Sequence, residues 1–181
     1  MLMQSFRFAA ILLAAFSLCL SMTHLLEFPQ RMMFDQQLWV NVTVVENVYK
    51  YFGSVGAVFE IGAILTAIVL TFLVRGHGAA FYWTVGGALL LVMAFVSWIV
   101  FVSTANAELA RWLTNPVPAN WTSTRNQWEY AHAANAFVKI AGSGYPLRPT
   151  SPYILWLGAS VPPNRRLYDT ESVVAACCIK R

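Results

Sequence analysis

Polar and apolar positions alternate along this chain in long blocks rather than in short strand-like or amphipathic periods. From Phe8 to Leu26 there is no Asp, Glu, Lys or Arg, and Arg7 precedes the run. A signal peptide and a first membrane helix both match such a stretch. No small-x-small cleavage site follows Leu20 and further apolar runs lie downstream, so the block predicts a membrane helix over about 8–28. A second run, 53–74, carries Glu60 as its only charge, and Gly76 to Ala107 carries none, predicting helices over 53–74 and 79–103 joined by the hairpin Arg75-Gly76-His77-Gly78. A fourth stretch passes through Ala131 to Ile140 with Lys139 inside it and breaks at Gly142-Ser143-Gly144-Tyr145-Pro146. It predicts a shorter helix over 126–142. The expected fold is all-α: a four-helix transmembrane bundle over 1–142, followed by an irregular or disordered tail over 143–181. The loop from Pro29 to Phe52 is rich in valine and aromatic residues, and its periodicity leaves strand and helical extension both open.

The polar residues within these helices are not scattered. At helical spacing, Ala10, Ala14, Ser17, Ser21 and His24 share one face of the first helix, and Gly56, Glu60, Ala63 and Ala67 share one face of the second. Small residues let membrane helices approach closely, and a carboxylate is costly against acyl chains, so both stripes are expected to face inward. The fourth helix places Arg125, Glu129, His132, Ala136 and Lys139 along one face, with Trp128 and Asn135 beside it. With alternating topology, His24, Glu27, Glu60, Asn106 and the segment Arg125 to His132 gather at one side of the membrane.

Composition sharpens this picture. Hydrophobic residues make up 58% and charged residues 11%, against roughly 45–50% and roughly 25% in soluble domains. The formal charge of +4 comes from basic residues dispersed among apolar ones, without a nucleic-acid-binding motif. The expected partners are therefore membrane lipids and a lipophilic small molecule, not nucleic acid. The expected location is the plasma (inner) membrane with the N-terminus inside, because the basic residues of the tail add to that side. Three cysteines, Cys19, Cys177 and Cys178, provide neither a disulfide framework nor zinc-ligand spacing.

Several short patterns bear chemistry. Glu129-x-x-His132 matches the inward element of carboxylate-bridged di-metal bundles, His24-x-x-Glu27 is its reverse, and Glu60 would be a bridging carboxylate. Such bundles normally offer four carboxylates, so an interfacial hydrogen-bond network is the favoured reading and the cofactor stays unassigned. Glu27 with Arg31 and Arg125 with Glu129 stand at ion-pair spacing on a helix. Glu60 is an intramembrane acid, by default a functional residue, with Arg125 or His132 as its expected structural partner. Lys139 would be buried at depth if the fourth helix spans fully and would snorkel if it ends at Gly142, and snorkelling toward the interface is the expectation. His132 or His24 would serve as general base, with Glu60 or Glu129 orienting the imidazole and Arg125 or Asn106 stabilising an oxyanion. The tryptophans and tyrosines, Tyr49 among them, read as an interfacial belt.

Four blocks, taken in order, carry a resemblance: His24-Leu25-Leu26-Glu27-Phe28-Pro29-Gln30-Arg31; Tyr49-Lys50-Tyr51-Phe52-Gly53-Ser54-Val55-Gly56 with Glu60; Asn106-Ala107-Glu108-Leu109; and Arg125-Asn126-Gln127-Trp128-Glu129-Tyr130-Ala131-His132. Over about Phe8 to Gly142 the chain resembles the anthrone-oxygenase-like family of four-helix membrane proteins. The resemblance implies a compact bundle, and for some relatives the oxidation of anthrone-type polyketides to anthraquinones with dioxygen. It implies His24, Glu60, Asn106, Arg125, Trp128, Glu129 and His132 as the site. The chain departs from the family after Gly142, where relatives continue an apolar fourth helix, and an abrupt loss of periodicity is what a change of reading frame would produce. The resulting expectation is an oxygenase-like enzyme acting on a lipophilic aromatic small molecule. The alternative is a non-enzymatic bundle that binds a lipid or a membrane partner.

Overall fold

In the computed structural model of the chain, which describes residues 2–144, every regular element is helical. Helix α1 runs Leu2–Arg31, beyond the expected segment at both ends. At a rise of 1.5 Å per residue it is about 45 Å long, more than the ~30 Å of a hydrocarbon core. Its buried residues are Ala10, Ala14, Ser17, His24 and Arg31, so the small and polar stripe is the packed face and Arg31 prolongs it. Phe8, Phe16 and Leu26 point outward.

The loop whose periodicity was ambiguous is helical. Asp35 caps the short helix α2 (Gln36–Val40), its carboxylate accepting the Leu38 N–H at 2.8 Å. A π-helical turn, Asn41–Val45, follows directly and turns Thr43 and Val44 inward. Asn47 takes a left-handed backbone conformation (φ 48°) before helix α3, Lys50–Leu73, which buries Glu60, Ala63, Ala67 and Leu70. Gly76 and Gly78, at φ 93° and 53°, make the reversal into α4 (Ala79–Ser97). A second π-helical turn, Trp98–Val102, joins α4 to α5 (Ser103–Arg111) as one continuous rod. Helix α6 occupies Trp121–Gly144.

Among the described residues, three helical stretches are long and apolar enough to cross a membrane: Leu2–Arg31, Lys50–Leu73 and Ala79–Arg111. Helices α3 and α4 set alanine and glycine inward, while Leu65, Ile68, Phe72, Leu89 and Met93 remain exposed. A helix surface of that kind suits lipid rather than water. Helix α1 packs against α3 and α6, and α4 packs against the same two. The α4–α6 approach is tight at Gly142, where an added Cβ would stand 3.1 Å from Leu90 Cβ and 3.5 Å from the Gly87 carbonyl oxygen. Beyond the helical rods, Trp39, Val44, Val102, Ala105, Leu109, Trp112 and Trp128 form an apolar core that seats α2, the first π-helical turn and α5 over one end of the long helices. The tail expected over 143–181 lies, from residue 145, outside the described residues, as do Cys177 and Cys178.

Candidate functional site

Two buried cations organise the polar interior. The first is Arg31, at the end of α1 and only 2% exposed. Its Nε donates to Glu129 Oε1 at 2.8 Å, one terminal nitrogen donates to the Tyr49 hydroxyl at 2.7 Å, and the other donates to Thr43 Oγ1 at 2.9 Å. The guanidinium carbon also lies 4.8 to 5.8 Å from the ring centroids of Tyr49, Trp128 and Trp39, within the range of cation–π attraction. Trp39 Nε1 donates to the same Glu129 oxygen at 2.7 Å. One arginine thus ties α1, the loop after α2, the start of α3 and α6 together, and the planar fork of its donors suits it to several fixed acceptors at once.

Glu27 does not pair with Arg31, as their spacing predicted. Its carboxylate accepts the Tyr49 hydroxyl, which Arg31 also contacts. Burial, and next the hydrogen bond to Glu27, push the Tyr49 phenol up to about 12. The predicted Arg125–Glu129 pair is replaced as well. Arg125 donates to Asn126 Oδ1 at 3.2 Å, reaches the Met32 and Phe34 carbonyls at 3.5 Å, and stacks 4.9 Å from the Trp121 ring.

The second cation is Lys139, which does not snorkel. It is buried, and its Nζ donates to Glu60 Oε2 at 2.7 Å and to Ser21 Oγ at 3.0 Å, joining α6 to α3 and α1. The partner of Glu60 is therefore Lys139 rather than Arg125 or His132. Among the described residues only one oxygen of that carboxylate is engaged, for Glu60 Oε1 is buried without a hydrogen-bond partner, as is His24 Nδ1.

Both of these atoms belong to residues lining a cavity of about 350 Å³. Its walls combine polar groups (His24, His132, Glu60, Lys139, Asn106) with the apolar surfaces of Leu20, Phe52, Phe95 and Trp98. The His24 and His132 rings lie 4.1 Å apart between centroids, with Trp128 4.2 Å from His132 and 5.2 Å from His24. Trp128 is held in turn by Asn106, whose Oδ1 accepts its indole N–H at 2.7 Å.

Of the seven residues expected at the site, His24, Glu60, Asn106, Trp128 and His132 line this cavity. Glu129 and Arg125 do not; they hold neighbouring segments in place. The Glu129-x-x-His132 element splits, Glu129 turning to Arg31 and His132 to His24. Among the described residues no three of His, Cys, Asp and Glu converge as metal ligands. Arg31, Tyr49, Thr43, Trp39 and Lys139 were missed as members of the polar interior. The available signal was that a cation inside or beside an apolar helix must find a partner.

No family model, curated protein or solved structure matches the chain.

Proposed function

We propose that the chain is a four-helix integral membrane protein, with α6 crossing beside α1 and α4, and that it is an oxygenase-like enzyme for a lipophilic aromatic small molecule. The observation that carries this reading is the cavity of about 350 Å³ that sets the His24 and His132 imidazoles, 4.1 Å apart, among aromatic walls. Such a concave, mostly apolar site with a few convergent polar groups is the usual form of a small-molecule pocket. In this reading the protein sits in the plasma (inner) membrane, with the N-terminus and the Arg75–Gly78 hairpin on its inner side.

The resemblance to the anthrone-oxygenase-like family gives the chemistry. His132, paired with His24, removes a proton from the doubly benzylic methylene that lies across the central ring from the carbonyl, and the resulting carbanion is conjugated through the rings with that carbonyl. Dioxygen is the oxidant: the CH2 group becomes C=O, one oxygen atom enters the product, and the other leaves as water with the two hydrogens. No further reductant is needed for that balance. The test is oxygen uptake dependent on added anthrone by purified protein, expected in the wild type and lost in His132→Ala.

A second reading rests on a different observation: the Arg31–Glu129–Trp39 and Glu60–Lys139–Ser21 groups all tie one helix to another. A bundle that only binds a lipid or a membrane partner would need those ties equally. That reading expects no oxygen uptake in any variant and a loss of stability in Glu129→Ala.

A further inference from the structure

The Glu60–Lys139 pair carries information about what the cavity accepts. Glu60 and Lys139 are 7% and 5% exposed and joined at 2.7 Å, so the pair is closed in charge within a largely apolar surrounding. Yet Glu60 Oε1, with no partner among the described residues, belongs to a residue of the cavity wall, and so does His24 Nδ1, likewise unpartnered among them on a side chain 7% exposed. Buried polar atoms are rarely left without a hydrogen bond, because each then forfeits its hydration without return. A carboxylate oxygen can only accept. An imidazole nitrogen can accept or donate, according to its tautomer.

We infer that the α1–α3 side of the cavity is a head-group subsite for a neutral, hydroxyl-bearing lipophile, whose O–H donates to Glu60 Oε1 and whose oxygen lies within reach of His24. This rests on the proposed reading of the cavity as a lipophile site and names the class it selects. The charge balance makes the choice. A carboxylate ligand would set a second anion against Glu60 with its one cation already engaged, and an ammonium ligand would add a second cation beside Lys139. A neutral alcohol or phenol satisfies the free oxygen without adding charge to a site of low dielectric. The aromatic flank of Phe52, Phe95 and Trp98 is left for the apolar body.

The experiment compares three probes of one ring system: 2-naphthol, naphthalene and 2-naphthoate. Each is titrated calorimetrically at neutral pH into protein in lipid nanodiscs, with empty nanodiscs as the blank. The expected result is that 2-naphthol binds at least about tenfold more tightly than either of the others, since a site built to hydrogen-bond a hydroxyl rejects analogues lacking it. In the Glu60→Leu, Lys139→Met double variant, which removes the charge pair as a unit, that preference should shrink to within about threefold. Equal affinity for 2-naphthol and naphthalene in the wild type overturns the head-group subsite while leaving the lipophile pocket standing. Tightest binding of 2-naphthoate overturns it in favour of an anion site. No binding of any probe overturns both the subsite and the pocket reading. If the double variant is not recovered folded, His24→Phe takes its place. It should weaken 2-naphthol about tenfold with naphthalene unaltered, and unchanged 2-naphthol affinity there overturns the subsite.

Discussion

Removing Glu129 should be among the most damaging single changes to this protein. The carboxylate is 1% exposed and receives both Arg31 Nε and Trp39 Nε1 on one oxygen. At 2.8 Å and an effective dielectric of 20 the gross attraction between Arg31 and Glu129 is about 6 kcal/mol, most of which offsets the desolvation of the two groups. What truncation exposes is the other side of that balance. Glu129→Ala leaves the Arg31 guanidinium buried without its anion, a change that costs about 3–5 kcal/mol, and orphans the Trp39 N–H. The contacts of Arg31 with Thr43, Tyr49 and three aromatic rings survive, so about 3–4 kcal/mol is expected, the lower part of that range. Using the ~2–4 °C per kcal/mol typical of domains this size, the melting temperature should fall by about 6–16 °C. Circular dichroism of the detergent-solubilised protein, run on Glu129→Ala, Arg31→Met and the double variant, provides the assay. The double variant should be less damaged than the sum of the singles by about 2 kcal/mol or more, because neither charge is then left alone. Single losses under about 1 kcal/mol, or strict additivity, would refute the claim that these residues form one buried clasp.

Lys139→Met should cost a similar ~3–5 kcal/mol by leaving the Glu60 carboxylate buried alone, and adding Glu60→Leu should restore much of the melting temperature. Gly142→Val inserts atoms where a Cβ alone would stand 3.1 Å from Leu90 Cβ, so about 1–3 kcal/mol should be lost; Gly53→Ala, in α3 with nothing within 4 Å, is the control expected to melt at or slightly above the wild type. In a spectrophotometric titration one of the seven tyrosines should ionise late, near pH 12, and that signal should vanish in Tyr49→Phe. Because the folded value lies above the ordinary 10 of an unfolded tyrosine, the contribution of the Tyr49 proton is complete below pH 10 and declines from 10 to 12.

The helices were legible because blocks free of charge and stripes of small residues have few other physical readings. Ala10, Ala14 and Ser17 on α1, and Ala63 and Ala67 on α3, proved to be buried faces for that reason. The polar partners were harder to read. Helical spacing offered Glu27 for Arg31 and Arg125 for Glu129, but each local pair yielded to a tertiary one: Arg31 reached across to Glu129 and Glu27 took Tyr49. Neighbour rules along a helix describe exposed surfaces, whereas here burial decides, and burial depends on which helices meet. Lys139 shows the same lesson, since snorkelling needs a nearby interface and its helix instead brings it against Glu60. The segment from Pro29 to Phe52 had no dominant period because α2 and a π-helical turn succeed one another within it.

The proposed chemistry is tested most directly by an oxygen electrode trace recorded on purified wild-type protein and on His132→Ala, each given anthrone, with circular dichroism on the same samples. If the cavity is the site of a base-initiated oxygenation, the wild type consumes one dioxygen per anthrone converted to anthraquinone, and His132→Ala, still helical, falls by about 10²–10⁴-fold, the usual contribution of a positioned base. Wild-type uptake no faster than that of heat-denatured protein, or equal rates in wild type and variant, would contradict it.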